Sequence, residues 1–306
     1  MAENNYFSSA DARSMAEVTQ SPLQLQGVTS QWLLKVLPWV DVTAGVYQVN
    51  RTVYDEKKKE VIQTSSECNH DKPVITLPRT ASFPEMTPAP RVYELSVVQT
   101  ILGLQSRAVD LYNEPFNTSS TQIQLTIQAL REKQENELIN NPTFGLLASI
   151  SDKQTIKSAN NLPTPDALDR LISLRRNTQF LFAHPKTITA FGIECNKAGL
   201  IIQNIPLGES LVPSWRGIPI LPCSKIPVKK GKSSILAMRT GEDNGGVVGL
   251  RPKTLPDQVE AGINLRFMGI NEQSIISYLI SNYFSVAVLL PNALGILKDV
   301  IVESTD

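Results

Sequence analysis

The chain has 306 residues, with 29 Lys plus Arg against 29 Asp plus Glu, so its formal net charge is zero. Charged residues make up 19%, below the ~25% of an average globular domain, and hydrophobic residues make up 42%. Such a chain is too neutral to coat nucleic acid, too apolar to be disordered throughout, and, with 3 cysteines, too poor in thiols for a disulfide scaffold.

Residues 1–26 are rich in Ser, Asn, Gln and Ala, with scattered apolar anchors at Tyr6, Phe7, Met15, Leu23 and Leu25. This reads as an arm that either frays or orders against a neighbouring subunit. It has no basic start followed by an apolar stretch, so no secretory signal is expected and the cytoplasm is the expected compartment. Ser285–Val302 is the most apolar stretch, but Pro291, Asn292 and Lys298 interrupt it. No run approaches the ~20 residues of a membrane span.

Residues 28–40 form an apolar cluster in which Ser30 is placed to cap a short helix before Pro38. Gly45–Val53 alternates as a strand, Asp55–Glu60 is a charged turn, and Val61–Thr64 returns as a second strand. Pro73, Pro78, Pro84, Pro88 and Pro90 then exclude helix and weaken any central strand. An extended arm projecting from the body fits this region, of the kind that adds to another chain's sheet.

The stretch from Arg91 begins strand-like and is expected to turn helical after Ser96. The best helix opens at Asn117–Ser120 and ends before Pro142, with Ile123, Ile127, Leu130 and Leu138 on one face. Thr164-Pro165-Asp166 starts another helix with a cap, a first-turn proline and a first-turn acid. After Arg176 the pattern predicts short strands punctuated by Gly and Pro, closed by a short helix around Ala293–Lys298. Helices and strands are segregated more than alternated, which favours an α+β fold.

Catalytic chemistry is hard to assemble from these residues. His70 beside Cys68 has no further ligand nearby, so a solvated loop is the better reading. His184, before Pro185, reads as a strand-end histidine with a hydrogen-bond partner rather than a base. Cys195 and Cys223 are too far apart for a redox pair and suit apolar filling. The Gly241–Gly246 run lacks the Lys-Ser/Thr of a phosphate loop and reads as a turn between strands. Lys225, Lys229, Lys230 and Lys232 read as a solvated loop or lysine-protected edge, with an acidic partner as the less favoured alternative. No catalytic, cofactor-binding or metal-ligating residue is nominated, and the chain is not expected to be an enzyme.

The order of parts resembles the tailed-phage major capsid fold of the Hong Kong 97 phage type: arm, extended loop, long helix, then a mixed domain ending in strands. The strings Ser30–Arg51, Asn141–Leu147 and Phe182–Pro185 resemble the second encapsulin family. The strings between Ser214 and Leu250 are similar to encapsulin axial-domain strands. The resemblance implies an N-terminal arm over 1–26, the start of a peripheral domain over 27–51 and an extended E-loop over 52–90. The peripheral domain with its spine helix would follow over 91–150, the axial domain over 151–262 and a C-terminal return over 263–306. Only about forty residues lie between Arg51 and Arg91, too few for the cyclic-nucleotide-binding module that some members insert there.

For the subgroup without that module, family 2A, the resemblance implies a self-assembling icosahedral nanocompartment. It would be a T=1 shell of about 60 copies of this chain. Its cargo would be a cysteine desulfurase serving sulfur metabolism or storage. Pyridoxal phosphate would reside in that cargo and no cofactor in the shell protein. Neither membrane nor nucleic acid is an expected partner. The alternative is a prophage or phage major capsid protein that packages DNA, with the same fold. By position in the fold, the loop around Asn204–Pro213 would approach the five-fold axis, so Asn204, Gly208, Glu209 and Ser210 are the pore-lining candidates.

Overall fold

The computed structural model describes residues 29–43, 45–49, 52–55, 60–63, 91–105, 118–158, 160–174, 177–208, 210–272 and 275–302. Helix α1 (Trp32–Val36) leads into β1 (Trp39–Val42), β2 (Val46–Val49) and the hairpin of β3 (Thr52–Asp55) with β4 (Glu60–Gln63). β5 (Arg91–Glu94), β6 (Ser96–Gln105), the long helix α2 (Thr118–Asn140) and β7 (Thr155–Lys157) follow. Next come α3 (Pro165–Ser173), β8 (Phe180–Ala183) and α4 (Pro185–Lys197). The rest is strands: β9 (Gln203–Leu207), β10 (Ser210–Trp215), β11 (Ile218–Pro222) and β12 (Lys232–Met238). β13 (Val247–Pro252), β14 (Gln258–Glu260), β15 (Ile263–Ile270), β16 (Ile275–Val288) and β17 (Leu294–Ile301) complete the order. The segregation of helix and strand is that of an α+β chain.

The chain divides into two compact units. The smaller takes its described residues from Thr29, Val98–Gln134 and Leu255–Asn282. Here Ile123, Ile127 and Leu130 of α2 pack on Val98, Leu102, Ile263, Leu265 and Ile280. The i, i+4, i+7 spacing of the helix residues puts them over one sheet face. β15 pairs antiparallel with the first half of β16, from Ile263 opposite Asn282 to Ile270 opposite Ile276, with a bulge between Phe267 and Gly269. Buried Asn282 Nδ2 donates to Gln134 Oε1 at 2.9 Å. Thr29 donates its N–H and hydroxyl to the Glu132 carboxylate at 2.8 and 2.9 Å.

The larger unit is built on a seven-stranded sheet of order β7-β17-β12-β8-β11-β10-β9. α3 and α4 cover one face, where Leu168, Leu171, Phe191, Cys195, Trp215, Ile235, Leu297 and Val300 form a closed core. In the same unit β1 runs parallel to β13, and β13 pairs antiparallel with the last residues of β16. Val42, Tyr93, Val248, Leu250 and Ala287 close a second core there. The buried Glu135 carboxylate, 2% exposed, accepts the Leu33 N–H of α1 at 3.3 Å. That satisfies one of the helix's orphan donors.

Two expected helices are confirmed with their chemistry. α2 stops at Asn140, before Pro142. α3 is capped as expected, the Ala167 N–H donating to Thr164 Oγ1 at 3.3 Å behind Pro165. Four expectations are corrected. The helix after Ser96 is β6, because Val97, Val98, Thr100 and Ile101 are β-branched and Val98 and Leu102 alternate onto the α2 core. Pro185–Lys197 is a helix, not a continuation of strand. The short helix around Ala293–Lys298 is a single 3-10 turn, Pro291–Ala293, followed by β17. Ser30 does not cap α1; Gln31 holds that position with φ 50° and no side-chain cap.

α4 explains His184. Its imidazole sits at the cap position and Nδ1 accepts the Lys186 N–H at 3.2 Å, with Pro185 in the first turn. A protonated ring has no lone pair there. Burial, then the Lys186 ammonium, hold the His184 pKa below its ordinary value. The folded state thus favours the neutral ring, so its contribution is present above the unfolded value near 6.5 and is lost as pH falls through the lower folded value. His184→Ala is expected to cost about 1 kcal/mol at pH 7.5 and less at pH 5. Thermal melts at the two pH values check this; an equal loss at both would remove the cap from the account.

Candidate pore and assembly surfaces

The segment around Asn204–Pro213, expected as a loop, is an antiparallel hairpin of β9 and β10. Leu207 pairs with Ser210, so only residues 208 and 209 connect the strands. Gly208 has φ 61°, the left-handed conformation that suits glycine in so tight a connection. The structure brings Gly208 and Ser210 together at the tip. Asn204 lies on the opposing strand, paired with Pro213, roughly 10 Å back along β9. Glu209 lies outside the described residues. Sequence reading overlooked two exposed apolar neighbours, Ile201 at 88% and Leu211 at 73% exposure. Pro206, exposed on β9, removes one donor from that free sheet edge.

The chain leaves β2 at Val49 and returns at Arg91 on β5, which pairs antiparallel with β2. Tyr47 and Tyr93 face each other across this ladder. The Tyr93 hydroxyl donates to the Val288 carbonyl at 2.7 Å and accepts the Val288 N–H at 3.2 Å. The Tyr47 hydroxyl donates to Glu242 Oε1 at 2.5 Å. Burial, reinforced by the Glu242 carboxylate, pushes the Tyr47 hydroxyl well above its usual range, so it remains a donor at any physiological pH. Both tyrosines thereby hold the β2–β5 ladder within the larger unit. The Pro-rich stretch itself, with Cys68 and His70, lies outside the described residues, as do residues 1–26.

Among the described residues, neither cysteine is poised as a nucleophile. Cys195 is fully buried on α4 and Cys223 is buried after β11. Burial pushes the Cys223 thiol up to about 12, and burial followed by Glu194 raises that of Cys195. Among the described residues, no group of three or more His, Cys, Asp or Glu is placed to hold a metal ion. No helix among them is long and apolar enough to cross a membrane. The Gly241–Gly246 run is the expected turn, closed by the Gly246 N–H on the Gly241 carbonyl at 2.8 Å.

Solved structures share the fold. The chain aligns with the holo-SrpI encapsulin complex of Synechococcus elongatus PCC 7942 with a TM-score of 0.80 and 36% identity, over 98% of each chain. It also aligns with the capsid of a native GTA particle, TM-score 0.58, over 96% of this chain and 100% of that one. That pair is 13% identical, so it shows the fold alone. A family model described as type 2A encapsulin shell protein SrpI-like matches residues 48–304. The shell protein SrpI of Synechococcus elongatus is 39% identical over 94% of this chain and 92% of its own length. A type 2A encapsulin shell protein of Mycolicibacterium paratuberculosis is 39% identical over 95% of this chain.

The fold therefore defines a shell subunit of the Hong Kong 97 capsid class, α+β in content. The chain belongs to the type 2A encapsulin shell protein family. It is a wall component that assembles into a nanocompartment, as its relatives are named, and not an enzyme. The alternative of a phage capsid protein rests on the fold, whereas identity of 36–39% along nearly the whole length rests on the family.

Proposed function

We propose that this shell encloses a cysteine desulfurase and serves sulfur metabolism or storage in the cytoplasm. The supporting observation is the near full-length match to SrpI, whose solved form is named a holo complex. The resemblance of Ser30–Arg51 and Asn141–Leu147 to the second encapsulin family, with only about forty residues between Arg51 and Arg91 and so no room for a nucleotide module, points the same way. Pyridoxal phosphate would then belong to the cargo, and the shell would hold no cofactor of its own. A T=1 shell of about 60 copies suits one chain that must repeat the same contacts around a closed surface. The β9–β10 tip, with Gly208, Glu209 and Ser210, would line the five-fold opening, and Asn204 would stand further back along its wall.

Co-expression with a cysteine desulfurase from the same genome tests the cargo. Purified particles are expected to be uniform by electron microscopy, to contain the desulfurase by mass spectrometry and to carry the yellow absorbance of bound pyridoxal phosphate. Hollow particles, with all desulfurase eluting free of them, would overturn the cargo assignment and leave the shell intact.

A further inference from the structure

Two groups of exposed charge in the larger unit stand at the two ends of one strand, β12. At the Lys232 end, Lys157 and Lys298 are direct partners on the parallel strands β7 and β17. Their neighbours Ile156 and Leu297 face the α3–α4 core, so both lysines face away from it, and both are exposed. Lys232 pairs with Ile301, one strand over and on the same outward face. Exposed Lys229 is bridged to Lys232 through the turn that also carries exposed Lys230. The Val302 N–H donates to the carbonyl of Gly231 in that turn at 2.9 Å, which fixes it against β17. None of these five lysines forms an ion pair among the described residues. The acids near them are exposed Asp299 and Asp152. Like charges side by side on neighbouring strands are unfavourable. Edge protection does not account for Lys298, because β17 is an interior strand between β7 and β12.

At the Met238 end the sign reverses. Arg239 continues the strand into the Gly241–Gly246 turn, whose Glu242 and Asp243 are exposed. Neither carboxylate forms an ion pair among the described residues. Arg239, 6% exposed, is turned inward onto Asn292 Oδ1 at 2.8 Å. β12 has seven residues, so the two clusters stand roughly 20 Å apart on one rigid sheet.

We infer that the lysine end of one copy meets the carboxylate end of the next, Lys157, Lys232 and Lys298 against Glu242 and Asp243. A molecule with zero net charge and separated ends attracts its own kind head to tail. That is a heterologous contact, and repeated with a fixed rotation it closes into a ring, as a shell wall needs. The partner is a second copy because, among the described residues, both signs stand without ion pairs and the chain assembles with itself. The contribution is to encounter and register, since such charges steer association and penalise wrong orientations. It is screened over the ~8 Å Debye length of physiological salt.

The test uses the full chain without cargo, so it is independent of the desulfurase assignment. One variant carries Lys157→Glu, Lys232→Glu and Lys298→Glu; the other carries Asp243→Lys, which spares the Tyr47–Glu242 bond. Expressed singly, each is expected to give mostly unassembled subunits by size-exclusion chromatography. Co-expressed with different tags, the two are expected to form mixed shells that both tags capture. Native-like shells from either variant alone, or no mixed shells from folded partners, would overturn the proposal. A neutral variant with the same three lysines changed to Gln guards against misfolding. Its reassembly after dilution from guanidinium is expected to be roughly tenfold slower than the unmodified chain at low salt, and insensitive to added salt. A salt dependence equal to that of the unmodified chain would also overturn it.

Discussion

Replacing Gly145 by alanine is expected to destabilise the subunit by about 3 kcal/mol or more and to abolish shell formation. A Cβ at this position would lie 2.3 Å from the Asn141 carbonyl oxygen and 2.6 Å from the Asn141 nitrogen. Both are backbone atoms, so no side chain can swing aside. The crowding exists because the chain doubles back over the end of α2. The Gly145 N–H donates to the Asn141 carbonyl at 2.9 Å, and the N–H groups of Leu146 and Leu147 reach the carbonyls of Leu138 and Ile139 at 2.8 and 3.1 Å. These bonds satisfy carbonyls that a helix end leaves orphaned. Asn141 Oδ1 holds the turn from the other side, accepting the Thr143 N–H at 2.9 Å. Leu138 and Leu146 are fully buried and Phe144 meets Phe284 edge-on at 6.3 Å, so displacing the turn disturbs a packed region. Denaturant melts of the dissociated subunit and electron microscopy of expressed protein check the expectation. Intact shells with a loss under 1 kcal/mol would show that the turn relaxes easily.

How far the sequence revealed this molecule depended on whether one local signal was enough. α3 was legible because Thr164, Pro165 and Asp166 stand in consecutive first-turn positions and each acts locally. α2 was legible from its apolar stripe and from Pro142. α4 was hidden because Pro185 served equally as a strand end or a helix start. Its buried Thr187, Phe191 and Cys195 also share the helix with Ile193, which is 51% exposed. β17 was hidden by its bulge. Asp299 has φ 60°, and the register slips between Ser233 and Ile235, so the period-two alternation breaks at Lys298. The hairpin carrying the pore candidates was masked by Pro206 and Pro213, which read as loop signals but sit in the exposed β9 and in β10 beside it.

The surface was less legible than the core for a related reason. Burial leaves a periodic trace in sequence, while a charge cluster is assembled by topology. Lys157 and Lys298 are far apart in the chain and meet only because β7 runs parallel to β17. Tyr47 and Glu242 are likewise far apart in the chain and meet only through the fold. The zero net charge that excluded a nucleic-acid coat conceals two ends of opposite sign.

Phe191→Ala is expected to lower stability by about 3–5 kcal/mol and to loosen the α3–α4 face before the rest of the subunit. Phe191 is 1% exposed and meets the Trp215 ring edge-on, with centroids 5.2 Å apart at 87°. Leu168, Leu171, Ile235 and Leu297 belong to the same core, so truncation leaves a cavity that no mobile side chain fills. Trp215 cannot move into it freely, because its indole N–H donates to Asp169 Oδ1 at 2.6 Å and Arg216 holds the second carboxylate oxygen at 2.9 Å. Phe191→Leu keeps most of the volume and is expected to cost roughly 1 kcal/mol. Hydrogen exchange on assembled shells separates the local effect from assembly: amides of Pro165–Ser173 and Pro185–Lys197 should lose protection while those of Thr118–Asn140 keep theirs. A uniform loss across all three helices would mean that this core and the spine helix open as one cooperative unit. Because the β9–β10 hairpin shares its sheet with Trp215, the same variant should also raise exchange at Ser210–Trp215, carrying a core defect to the tip where the pore candidates stand.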